Sequence, residues 1–272
     1  MLISTVNVYA DEPKVAESDK PVVEQIVNTL TTLSGGSHKG YRANHAKGIV
    51  VLGEFTPAKS AASITKAAHF QNVVSPVTVR FQTQQVCQIS QTPMVMLSQI
   101  AIRFTLADGT FTDIVSISTN GFPAAKPEDF LGLLNAVAAS GSDIAKPTPV
   151  EQFLGIHPAA LKFVQMPKQP PVSFATQPFY GVNAFKFINA KGETQYARYR
   201  ITPVTGEEFL SKEQAASAAP NYLFEELPTR LAKASASYKL TLQLAEQGDA
   251  LNDATAVWQE TRKQVELGTL TI

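Results

Sequence analysis

Residues 100–118, IAIRFTLADGTFTDIVSIS, set two alternating apolar runs on either side of an Ala-Asp-Gly turn. Alternation with a period of two sorts side chains onto opposite faces of a strand. A turn of the Asp-Gly type between two such runs joins them as an antiparallel hairpin. A second hairpin is written in VNAFKFINAKGETQYARYRI (182–201), turning around Asn-Ala-Lys-Gly. Ala184, Lys186 and Ile188 fall on one side of its first arm, Phe185 and Phe187 on the other. Further strand-length runs are GIVVLGEF (48–55), VTVRF (77–81), YKLTLQLAEQ (238–247) and the closing LGTLTI. Gly48 and Gly53 within the first of these mark bends of a closed barrel.

Helical segments interrupt this pattern. PVVEQIVNTLTTL (21–33) places Val22, Val23, Ile26, Val27, Leu30 and Leu33 on one face, with Ser18 and Asp19 as start signals and Gly35-Gly36 as the stop. Residues 126–140 read as a helix opened by Pro127 with acidic residues in its first turn. Residues 149–165 are helical with a break at Pro158, and residues 220–233 are helical. There is no βαβ rhythm and no GxGxxG, which argues against a doubly wound nucleotide-binding sheet. The fold class is α+β, an antiparallel sheet curled into a barrel with interspersed helices.

Composition bounds the function. The 272 residues suffice for one large domain or two small ones. Lys plus Arg and Asp plus Glu each number 23, so nothing favours nucleic acid as a partner. Cys87 is the one cysteine, which excludes an intrachain disulfide. No CxxC or HExxH pair offers a metal site, and no run approaches the ~18 apolar residues of a membrane helix. The N-terminal VYADEP has the small-residue spacing of a secretory cleavage site. It is read either as a signal-peptide remnant, giving a periplasmic or otherwise exported protein starting at Asp11, or as a flexible terminus of a cytoplasmic one.

Five segments, taken in order, resemble the catalases, and most of all the small catalase-related haem peroxidases. They are RANHAKGIVVLGEF, VTVRF, AIRFTLADGTFTDIVSISTNGFP, YGVNAFKFINAKGETQYARYR and DATAVWQETRKQVELGTLTI. The resemblance covers residues 20–272 as one barrel domain, with 1–19 as a flexible N-terminus. It implies haem as cofactor, peroxide as substrate and a small reductant as the second partner. His45 would be the distal base and Asn120 its polar partner, with Arg42 and Arg80 on the haem propionates. His45 would look into a haem cavity inside the barrel. The residue types suit the chemistry: a neutral imidazole relays a proton between the peroxide oxygens, while an amide orients the peroxide without titrating. Arginine's planar fork suits a carboxylate.

Two departures from the family pattern stand out. Gln82 follows Arg80-Phe81 where the family often has serine, and TQQVCQISQTPMVMLSQ is unlike the usual lead-in to the next strand. The family's proximal haem ligand is a tyrosine, and none of Tyr9, Tyr41, Tyr180, Tyr196, Tyr199, Tyr222 and Tyr238 lies in that motif. The resemblance therefore places the ligand in a helix beyond Ile272, and the expectation is a truncated chain that binds haem weakly. Two other readings share the barrel: a non-catalytic container for haem or another apolar ligand, and a haem enzyme that rearranges hydroperoxides. His38, His69 and His157 read as structural. Asn120-Gly121 is also a turn signal, and Phe130 reads as core packing.

Overall fold

The alternating runs fold as strands, and the hairpins close where the turn residues place them. The computed structural model describes residues 16–83, 97–141 and 143–272. Nine strands lie among them: β1 (Gly48–Pro57), β2 (Ser75–Thr83), β3 (Ser98–Thr105), β4 (Phe111–Ile117), β5 (Phe179–Tyr180), β6 (Phe185–Ile188), β7 (Thr194–Pro203), β8 (Ser237–Leu244) and β9 (Gln264–Thr271). The helices are α1 (Val22–Leu33), α2 (Ala61–Ile64), α3 (Pro127–Ala138), α4 (Pro149–Ile156), α5 (Pro158–Gln165), α6 (Lys212–Ser217) and α7 (Tyr222–Leu231). The strand order is β5-β4-β3-β2-β1-β9-β8-β7-β6, every pairing is antiparallel, and a β5–β7 pairing closes the ring. The result is a barrel with β6 as a flap on β7. Closure rests on the two-residue β5, where Tyr180 pairs with both Ile117 and Arg200.

The barrel interior is filled. Val77, Val79 and Phe81 from β2, Ile100, Ile102 and Phe104 from β3, and Tyr238, Leu240 and Leu242 from β8 are all buried in one cluster. Phe81 stacks on Phe174 with ring centroids 5.2 Å apart, and Phe55 meets Phe104 edge-on at 5.3 Å. A barrel of about eight strands is just wide enough to be plugged by its own side chains. The expected cavity inside the barrel is therefore corrected: among the described residues the lumen is occupied by aromatic and aliphatic side chains. A bulge in β9 contributes to the packing. The register slips between Leu240 and Thr241, and both Leu267 and Leu270 are buried.

Gly48 and Gly53 are not bends but points of close approach. A Cβ at Gly48 would lie 2.5 Å from the Arg80 guanidinium, and one at Gly53 would strike the Thr271 carbonyl.

The helices follow their signals with two adjustments. α1 starts after Pro21, with no side-chain cap, while Ser18 and Asp19 sit in a preceding 3-10 turn. Its apolar stripe is split: Val22, Ile26 and Leu30 are half-buried, whereas Val23, Val27 and Leu33 are exposed. The stop at Gly35-Gly36 holds, with Gly36 N donating to Thr31 O. α4 and α5 are separated at His157-Pro158 as expected, because the residue before a proline is pushed out of helical conformation. Thr148 and Glu151 form a capping box that opens α4. Phe130 packs on Phe122 with centroids 5.3 Å apart. No helix among the described residues is long and apolar enough to cross a membrane. The candidate cleavage site at Ala10-Asp11, Cys87 and most of the divergent lead-in to β3 lie outside the described residues.

Candidate functional site on the outer barrel face

Residues directly opposite each other on neighbouring strands share a face. Two such rows cross the outside of the barrel: Val50, Arg80, Ala101 and Val115 in one, and Gly48, Gln82, Gln99 and Ile117 in the next. All are out of phase with the interior residues Val79 and Phe81. His45 sits over the second row, in the irregular segment leading into β1. Its Nε2 is 2.9 Å from Gln99 Nε2.

The backbone at His45 is held in an unusual conformation. Its φ is 53°, a left-handed value sparsely used by residues other than glycine. Asn44 Oδ1 accepts from His45 N at 2.9 Å. The His45 carbonyl accepts from Arg42 Nε at 3.1 Å, Arg42 Nη2 at 3.0 Å and Arg80 Nη2 at 2.9 Å. Two guanidiniums therefore clamp one carbonyl. A strained backbone of this kind persists only where its surroundings over-determine it. Gly48 completes the arrangement, because a side chain there would displace Arg80.

Electrostatics follow from this geometry. Burial, then the nearby Arg42, then Arg80 push the His45 imidazole down to about 4, with the Thr83 backbone opposing them. His45 is thus neutral at pH 7. Its Nδ1 is buried with no hydrogen-bond partner. Burial first, then Arg42, lowers the Arg80 guanidinium. Among the described residues no carboxylate forms an ion pair with Arg42 or Arg80.

The structure thus brings His45, Arg42 and Arg80 together and engages Asn120 elsewhere. Asn120 Nδ2 donates to Glu260 Oε1 at 2.9 Å, in a cluster where Arg200 Nη2 also reaches Glu260 at 3.5 Å. The amide that meets the imidazole is that of Gln99, which the sequence reading did not single out. The other histidines are structural, as expected. His38 Nε2 lies 3.0 Å from Ser34 O, His157 stacks on Phe153 at 3.7 Å, and His69 is packed against Phe70 and Phe104. Among the described residues, no group of three His, Cys, Asp or Glu is placed to hold a metal. Burial raises the phenols of Tyr180, Tyr199, Tyr222 and Tyr238, so these side chains keep their protons.

The fold matches a fungal catalase with a TM-score of 0.74 at 19% identity, covering 100% of this chain and 57% of that one. It matches a bacterial catalase with a TM-score of 0.73 at 20% identity, covering 99% and 54%. The chain thus spans a little over half the length of these solved catalases. Sequence carries the assignment further, since the Catalase family profile matches residues 38–272. A catalase-related peroxidase of Mycolicibacterium paratuberculosis is 31% identical over 242 residues, covering 88% of this chain and 76% of the relative. A second, from Synechococcus elongatus, is 28% identical, with 89% and 73% covered. The chain belongs to the catalase family.

Proposed function

We propose that this chain is a haem-dependent peroxidase with catalase activity, in which His45 is the base that moves the peroxide proton. The observation that carries this reading is a neutral imidazole clamped beside two guanidiniums that no described carboxylate neutralises. The residues present fit a haem. Arg42 and Arg80 offer forked donors for two carboxylates, and Arg80 Nη1 is buried without a partner. Val50 and Val115 flank Arg80 and Ala101 in the same cross-strand row and are 57% and 59% exposed, an apolar surface for a flat macrocycle.

When bound, haem supplies the iron at which the oxygen–oxygen bond is cleaved. The chain supplies the rest. His45 accepts the proton of the approaching peroxide and returns it to the leaving oxygen. Gln99 orients the peroxide from beside His45, a role the family resemblance gave to Asn120, whose amide here is held by Glu260. Arg42 and Arg80 would hold the cofactor edge, and burial first, then these two charges, keep the imidazole unprotonated.

The test is a haemin titration followed by absorbance, then peroxide consumption with a small aromatic reductant. The reading expects an intense Soret band, and binding at least tenfold weaker in an Arg42→Glu, Arg80→Glu double variant. A protein that stays colourless with haemin overturns it, and turnover of fatty-acid hydroperoxide but not hydrogen peroxide moves it to the rearranging class.

A further inference from the structure

Arginine has no hydrogen-bond acceptor, and this fixes the direction of every bond that follows from Arg42. Arg42 Nη2 lies 2.5 Å from the Gln82 side chain, so Gln82 must present its carbonyl oxygen there. The other end of that amide is then an NH2 group, 2.6 Å from Gln99, so Gln99 must in turn present Oε1. Gln99 is left with only N–H donors for His45 Nε2 at 2.9 Å. A ring nitrogen that faces a donor carries the lone pair, so the imidazole proton sits on Nδ1. The guanidinium is the one group that cannot be reversed, and it sets the direction of both amides.

We infer that Arg42, Gln82 and Gln99 form a one-way donor chain that holds His45 in its Nδ1–H tautomer and keeps the Nε2 lone pair ready to accept the peroxide proton. Gln82 is a positioning residue, and Gln99 sets the ring before it meets the peroxide. The inference deepens the reading of His45 as base and rests on it for its purpose, though not for its geometry. It also gives a use to Gln82, the residue that departs from the family's serine. A hydroxyl can donate or accept and leaves the direction open; a cross-strand pair of amides led by arginine does not. The Gln99 amide holds the Nε2 lone pair until the peroxide O–H takes its place.

The test exchanges one NH2 group for an oxygen. In Gln82→Glu the carboxylate still accepts from Arg42 but cannot donate. Gln99 must then turn its NH2 to residue 82 and its oxygen to His45, which forces the proton onto Nε2. The readout is the 15N spectrum of histidine-labelled chain, without haem or peroxide, at a pH where His45 is neutral; a His45→Asn spectrum supplies the assignment. The expected result is a lone-pair-type Nε2 in the parent chain, a lone-pair-type Nδ1 in Gln82→Glu, and a mixture in Gln82→Met. Gln99→Glu, which accepts from both neighbours, must give the same reversal and serves if Gln82→Glu does not fold. Haem-loaded Gln82→Glu should lose about 10²-fold or more of its turnover, on the scale of positioned proton transfer. A protonated Nε2 in the parent chain, or an Nε2 lone pair that survives both glutamate variants, overturns the proposal. The base reading fails separately, if His45→Ala keeps its turnover.

Discussion

His69 is buried in a way that acid should expose. It lies in the 3-10 turn Ala68–Phe70, 7% exposed, with its ring 3.8 Å from that of Phe70 and 4.7 Å from that of Phe104. Its Nε2 has no hydrogen-bond partner. Burial pushes its pKa from 6.5 to about 4. The unfolded chain therefore binds a proton at this site below pH 6.5 that the folded chain refuses until about pH 4. Stability rises with pH across that window and is lost as pH falls through it. A shift of ~2.5 units at ~1.36 kcal/mol per unit gives about 3 kcal/mol. His69→Leu removes the linkage. At pH 7.5 the variant should match the parent to within about 1.5 kcal/mol, as a swap of similar volume does. At pH 4 its stability relative to the parent should have risen by about 3 kcal/mol. Urea unfolding followed by the fluorescence of Trp258, the chain's one tryptophan, measures both. Acid loss common to all carboxylates cancels in the comparison. Parallel pH profiles for the two proteins would refute the assignment of a buried, neutral His69.

Three further outcomes follow from the packing and the site. Gly48→Ala should push Arg80 off the His45 carbonyl, weakening haemin binding severalfold while the barrel's circular dichroism stays unchanged; unaltered haemin affinity would contradict the clamp. Arg198 is buried, donates to the carbonyls of Ala250, Asp253 and Ala256 and stacks 4.3 Å from Trp258, so Arg198→Met strands those carbonyls. Its urea midpoint should fall by the equivalent of about 3–5 kcal/mol. Turnover that needs neutral His45 should hold through neutral pH and drop only as pH passes down through about 4; a fall centred near the ordinary histidine value would show an imidazole that is not shielded.

The hairpins were legible because their alternation is regular and their turns carry Asp-Gly and Lys-Gly. What closes the barrel was not legible: β5 is two residues long, too short to show a period. The side of the wall on which the site lies was written in the sequence but misread. Arg80 and Gln82 alternate with Val79 and Phe81, and that phase puts them on the face opposite the apolar core. His45 and the two arginines stand out through their motif. Gln99 was missed because its contact with His45 depends on register: it stands opposite Gln82 only once β2 and β3 are paired. Asn120 follows β4, where its amide turns to Glu260 on the loop before β9, 140 residues away in sequence, a contact no local pattern encodes.

His45, neutral and clamped by Arg42 and Arg80 on the outer face of the barrel, is the group proposed to move the peroxide proton. The most direct measurement compares peroxide consumption by the haem-loaded parent and His45→Ala at neutral pH, with the Soret band as the control for cofactor occupancy. The Soret band should be unchanged in His45→Ala and the rate lower by about 10²–10⁴-fold. Near-parental consumption by a fully haem-loaded His45→Ala would contradict it.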